Sequence, residues 1–195
     1  MSRRGVVSAL TLGLCLAACT TANPGARGGP TSTAPSGSTL PSVEPSGAFV
    51  RTCESSVFGK LGQAVLQESI VAGPVVFVAS RDYRAIPANT FRVPQGKAPQ
   101  IKVLLVVHGN DPVTVSVHGK AALDYNPSRW GSGHPLPLDR GQRSVVFEPC
   151  GGGPQRTQFN GGFLLLHPMC VPVTVTTADG NRSTVTLSFG VGRCA

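Results

Sequence analysis

The chain has 195 residues, with 24 Gly, 17 Pro and 6 Cys, 13% charged residues and a formal net charge of +8. A soluble globular domain carries about 25% charged residues, and this length excludes a two-lobed binding protein or a large multidomain enzyme. At the N-terminus, Arg3 and Arg4 precede an uncharged apolar run from about Val6 to Ala18. That run is shorter than the roughly 20 residues a spanning helix needs, and it has the layout of an export signal.

Leu16-Ala17-Ala18-Cys19 resembles the lipobox of bacterial lipoproteins. The resemblance implies a signal peptide of residues 1–18 that takes Cys15 with it, and a mature chain beginning at a Cys19 that carries palmitate-type acyl chains. It also implies attachment to the extracytoplasmic face of the cell membrane. A buried methylene contributes about 0.8 kcal/mol, so two acyl chains hold a protein stably where one does not. The competing reading is an ordinary secretory signal that leaves Cys19 a spare thiol.

Residues 19–47 read as a flexible tether. Of the 28 residues from Thr20 to Gly47, Pro, Gly, Ser and Thr supply five each, none is aromatic, and Leu40 and Val43 are the sizeable apolar ones. Such a segment cannot bury enough apolar surface to offset the entropy of ordering it. As a coil it spans roughly 30 Å.

Residues 48–195 then form one all-β domain. β-branched runs recur between turn signals at Pro74–Ser80, Ile101–His108, Val113–His118, Arg143–Glu148, Gly162–His167, Val171–Thr177 and Arg182–Phe189. Seven runs at this spacing predict an immunoglobulin-like antiparallel β-sandwich. Lys60–Ser69 reads as a short helix or an irregular lead-in to a strand. For the last hairpin, a two-residue turn at Asp179-Gly180 sets Val173 against Thr186 and mixes the faces. A three-residue loop, Ala178 to Gly180 with Gly180 left-handed, pairs Val173 with Val185 and Val171 with Leu187. The apolar pattern selects the second register, with Thr174, Thr176, Thr184 and Thr186 outward.

Four cysteines remain in the domain: Cys53, Cys150, Cys170 and Cys194. An even set in an exported chain reads as two disulfides. In the chosen register Cys170 lies opposite Ser188, which puts Cys194 about 20 Å away along an extended strand, beyond disulfide reach unless the 190–192 segment folds back. Of the two other schemes, Cys150–Cys170 with Cys53–Cys194 is preferred because it ties the domain's ends together. Zinc-type spacing is absent, so no metal is expected.

Candidate chemistry is sparse. His108 and His118 read as opposite ends of one hairpin, too far apart to share an ion. His167-Pro168-Met169 has the spacing of some copper carriers, but Met169 is the only methionine besides the initiator, and copper(I) sites need more thioether and imidazole. No nucleophile elbow, Ser-x-x-Lys or phosphate loop occurs, and no cofactor is expected. Arg3, Arg4, Arg27 and Glu44 precede residue 48, leaving the domain 14 basic and 8 acidic residues, net +6. That charge suits an anionic wall polymer, lipid head groups or an envelope protein, and export argues against nucleic acid. The rival reading is an envelope enzyme such as a cell-wall hydrolase, whose acid and base would come from the few carboxylates and His134.

The segment 124–134 gathers Tyr125, Arg129 and Trp130, the chain's one tryptophan, into a loop. Such a cluster is a candidate binding surface for a sugar or protein partner. Phe147-Glu148-Pro149-Cys150, Thr157-Gln158-Phe159-Asn160-Gly161-Gly162-Phe163, Cys170-Val171-Pro172 and Ser188-Phe189-Gly190-Val191-Gly192-Arg193-Cys194, with Pro87-Ala88, Phe91-Arg92 and the 125–130 run, are similar to a group of uncharacterised exported proteins of high-GC Gram-positive bacteria. The resemblance covers about residues 75–195. It implies a disulfide-braced envelope lipoprotein and brings no catalytic residues.

Overall fold

Alternation of apolar and polar side chains builds the body of the protein. The computed structural model describes residues 48–78, 82–129, 133–151 and 156–194, which fall within the unit Val43–Ala195. The expected signal peptide, Cys19, the tether and Trp130 lie outside the described residues. The elements in order are β1 (Phe49–Arg51), α1 (Gln63–Gln67), β2 (Ile70–Ala72), β3 (Val75–Phe77), β4 (Lys97–Ala98), β5 (Gln100–Lys102), β6 (Leu105–His108), β7 (Val113–Val117), β8 (Ala121–Asp124), β9 (Leu136–Pro137), β10 (Ser144–Phe147), β11 (Arg156–Phe159), β12 (Gly162–Leu165), β13 (Met169–Thr177) and β14 (Arg182–Phe189). The fold is β-rich with little helix.

The strands form sheets of order β1-β10-β7-β13-β14, β11-β6-β3-β2, β5-β12-β8 and β4-β9. β1 runs parallel to β10, and the other pairs are antiparallel. In the five-stranded sheet Val145, Val115 and Val175 stand side by side and are buried. The adjoining row, Ser144, Ser116, Thr174 and Thr184, faces outward. Its hydroxyls lie 3.1 Å apart for Ser116 and Ser144 and 3.4 Å apart for Thr174 and Thr184. Phe77, Leu105 and Phe159 cross the four-stranded sheet, and Leu123, Phe163 and Ile101 cross the three-stranded one. All of these apolar side chains join one buried cluster, each contributing about 1.5–3 kcal/mol of hydrophobic stabilisation.

The β13–β14 hairpin adopts the register selected by its apolar pattern, with Val173 opposite Val185 and Val171 opposite Leu187. Gly180 takes φ 84° in the three-residue loop. The run Ile101–His108 does not form one strand but two, in different sheets. Its partner segment 156–165 bends with it, and the pairing continues unbroken through the bend: Phe159 pairs with Leu105, the Val103 N–H donates to Gly161 O (2.9 Å), and Gly162 pairs with Lys102. A Cβ on Gly162 would collide with Ile101 O, so the bend needs glycine where the two backbones close in.

Two further expectations are corrected. His108 and His118 do not end one hairpin: β6 lies between β3 and β11, whereas β7 lies between β10 and β13. The disulfides are Cys53–Cys150 and Cys170–Cys194, not Cys150–Cys170 and Cys53–Cys194. Parallel pairing of β1 with β10, extended by the Glu148 N–H to Arg51 O (2.8 Å), carries Cys53 and Cys150 out side by side. At the other end, Gly190 (φ 69°) and Gly192 (φ 72°) turn the chain back. The Gly190 N–H donates to Tyr83 O (2.8 Å) and the Ser188 hydroxyl to Gly192 O. That fold brings Cys194 to 5.9 Å from Cys170, Cα to Cα.

Candidate functional site

Tyr125, expected on a partner-binding loop, is instead rooted in the core. Tyr125 is fully buried. Its hydroxyl donates to Val103 O (2.9 Å), its ring meets Phe147 edge-on at 5.0 Å, and it occupies the space a Cβ on Gly161 would need. Burial pushes its phenol above the ordinary range. Arg129 donates to the buried Asp124 carboxylate (3.0 Å) and to Arg140 O (2.7 Å). Gln100 donates to the other Asp124 oxygen. The structure therefore removes Tyr125 from the binding surface and makes Arg129 a brace for the loop. Trp130, beside it, lies outside the described residues.

Sequence reading missed Arg51, which is 2% exposed. Its guanidinium donates to Ser55 Oγ (2.8 Å), Ser55 O (2.6 Å), Asn160 O (3.0 Å) and Tyr125 O, and lies over the Phe159 ring at 5.5 Å. Val103 O and Asn160 O lie at the bend, and Tyr125 and Arg51 satisfy them. Burial lowers the Arg51 pKa, with Tyr125 opposing.

A cleft of about 510 Å³ opens where the β2–β3 turn, the β6–β7 connection and the β13–β14 loop meet, and His108, Asp111, Asp179 and Ser183 help line it. The His108 backbone N–H donates to Pro74 O (2.8 Å), tying two of these segments together. Burial, and secondarily the neighbouring Arg156, holds the His108 imidazole below its ordinary pKa. The exposed Asp179 carboxylate is held below the usual range by the Thr177 hydroxyl and then by the Asn181 backbone N–H. His108, Asp111 and Asp179 thus share one lining, although Asp179 is bonded within its own turn. Among the described residues no three His, Cys, Asp or Glu side chains gather into a metal site. His118, His134 and His167 are exposed, and Met169 packs against the core.

A second hollow of about 450 Å³ runs between the 57–61 segment and β6 and β11, lined in part by Phe58, Lys60, Leu61 and Arg156. The segment is pinned to β11: the Val57 N–H donates to Gln158 O (2.8 Å) and the Gln158 amide to Gly59 O (2.7 Å). Phe58, between these two fixed points, is 93% exposed. No match to this chain is found among protein-family models, curated proteins or solved structures.

Proposed function

We propose that this protein is an extracytoplasmic lipoprotein, held at the cell membrane through acyl chains on Cys19, whose domain is a non-catalytic binding or structural module of the cell envelope. The observation that carries the reading is the pair of disulfides in the body downstream of the lipobox, because such bonds persist in oxidising compartments. An immunoglobulin-like sandwich is the arrangement proposed for the body. It is supported by the five- and four-stranded sheets turning their apolar faces into one cluster. Labelling cells with a palmitate analogue tests the anchor: label should enter the wild-type chain and be absent from Cys19→Ser. An unlabelled wild type, or label that survives the substitution, refutes it.

The rival reading, an envelope hydrolase, is favoured by one observation, the shared cleft of His108, Asp111 and Asp179. Release of soluble fragments from purified cell wall by the wild type, lost in His108→Ala, would establish it in place of the binding module.

A further inference from the structure

We propose that the outer face of the β11-β6-β3-β2 sheet docks on the anionic surface of a phospholipid bilayer, with Phe58 entering the interface and Lys60 and Arg156 meeting lipid phosphates. This deepens the reading of the chain as membrane-anchored and rests on it. Sheet register defines the face. Val71, Val76, Val106 and Gln158 form one row across the four strands, pointing away from the main core. Leu61 and Leu104 cover Val76 and Val106, while Val71, at the far end, is 59% exposed.

An aromatic side chain 93% exposed beside two cations is costly to leave in water, and here it is held in place by hydrogen bonds on both sides. Among the described residues that line the hollow, none is acidic. A hydrophilic polyanion would satisfy Lys60 and Arg156 but give Phe58 nothing. A bilayer interface takes the ring and the charges together, since apolar groups sink below the phosphates that attract the cations. Residues 19–47, for which the sequence leads one to expect a coil of roughly 30 Å reach, end ten residues before Val57. A chain anchored at Cys19 therefore keeps this face within reach of the membrane at high effective concentration.

The test uses the mature chain, 19–195, with Cys19→Ser, so that binding does not depend on acylation; both disulfides and every described contact lie after residue 47. Co-sedimentation is measured with phosphatidylcholine vesicles with and without phosphatidylglycerol. Binding should require phosphatidylglycerol and fall about tenfold or more in Phe58→Ala. It should fall about fivefold in each of Lys60→Ala and Arg156→Ala. Arg182→Ala, on the outward face of the other large sheet, should leave it unchanged. The proposal is overturned by absence of binding, by binding insensitive to Phe58, or by a soluble polyphosphate that binds wild type and Phe58→Ala alike and displaces the vesicles. Palmitate labelling reads the anchor separately, so loss of either result is told apart from loss of the other.

Discussion

Arg51→Ala should be among the most damaging single substitutions in the domain. Among the described residues Arg51 has no ion-pair partner; its donors go to three backbone carbonyls, Ser55 O, Tyr125 O and Asn160 O, and to the Ser55 hydroxyl. Truncation strands these carbonyls, Tyr125 O in a buried site and Ser55 O and Asn160 O in partly buried ones, and each unsatisfied buried acceptor costs about 1–3 kcal/mol. Allowing for partial entry of water, the loss is about 4–6 kcal/mol, against a total stability of about 5–15 kcal/mol for a domain.

With a urea m-value of about 2 kcal/mol/M, a 5 kcal/mol loss moves the denaturation midpoint down by about 2.5 M. Arg51→Lys keeps the charge but has no planar fork, so it should lose about half as much. Arg51→Met keeps the bulk over Phe159 and should fall with Ala. The assay is urea unfolding of the oxidised mature chain followed by circular dichroism. A midpoint shift below about 0.5 M for Arg51→Ala, or an Arg51→Met variant as stable as wild type, would refute the carbonyl-satisfaction argument and show that desolvation of the charge outweighs its hydrogen bonds.

Non-reducing digestion should yield cross-linked peptides joining Cys53 to Cys150 and Cys170 to Cys194, and a Cys150–Cys170 peptide would overturn the assignment. With sequence separations of 97 and 24, removing each bridge should cost about 5 and about 3 kcal/mol by loop-closure entropy, read as shifts in the unfolding midpoint. His108 should titrate by NMR below its ordinary value of 6.5. Because the unfolded chain then binds this proton at higher pH than the folded one, His108 has no effect on stability well above pH 6.5 and lowers stability as pH falls from there through the folded pKa. Arg156→Gln should raise that pKa only part of the way, since burial is the larger cause; a full return to 6.5 would reverse the order of causes. Gly161→Ala places a methyl group inside the Tyr125 ring and should cost about 1–3 kcal/mol or more by overpacking, with loss of the near-ultraviolet tyrosine signal as a second readout.

Strands whose two faces differ in polarity were legible. The β13–β14 register follows from alternation alone, because a one-residue slip would bury threonines, and each of the seven β-branched runs contains a strand. β8 was not legible, since Ala121–Asp124 is buried throughout and neither alternates nor carries a β-branched residue. Nor was β11, whose Arg-Thr-Gln-Phe reads as polar although Thr157 and Phe159 face inward. The two disulfides follow from the cysteine count, but their pairing was not legible, because chain reversal at Gly190 and Gly192 depends on carbonyls of the 82–85 turn and pairing of Cys53 depends on a parallel strand of three residues. Tyr125 and Arg129 illustrate a different difficulty. An aromatic and a cation in a Gly/Pro/Ser loop have the composition of a binding surface, and only the backbone groups left over at a distant bend reveal that the tyrosine belongs to the interior.

Among the described residues, three guanidinium groups donate to backbone carbonyls. Arg51 satisfies carbonyls at the bend, Arg129 donates to Arg140 O, and Arg143 donates to Gly119 O (2.6 Å) and Ala121 O. A chain with 8 acidic residues in its domain cannot pair 14 cations, and a fold assembled from short strands in several sheets leaves many loop carbonyls that need donors. The basic balance is thus partly a structural requirement. It follows that net charge overstates the cationic surface presented to a partner, and that any partner should be sensed through particular side chains. Lys60 and Arg156 beside Phe58 differ from Arg51 and Arg143 in lining an open hollow next to an exposed apolar ring, and that difference, not the total of +8, makes their face the one expected to meet a membrane.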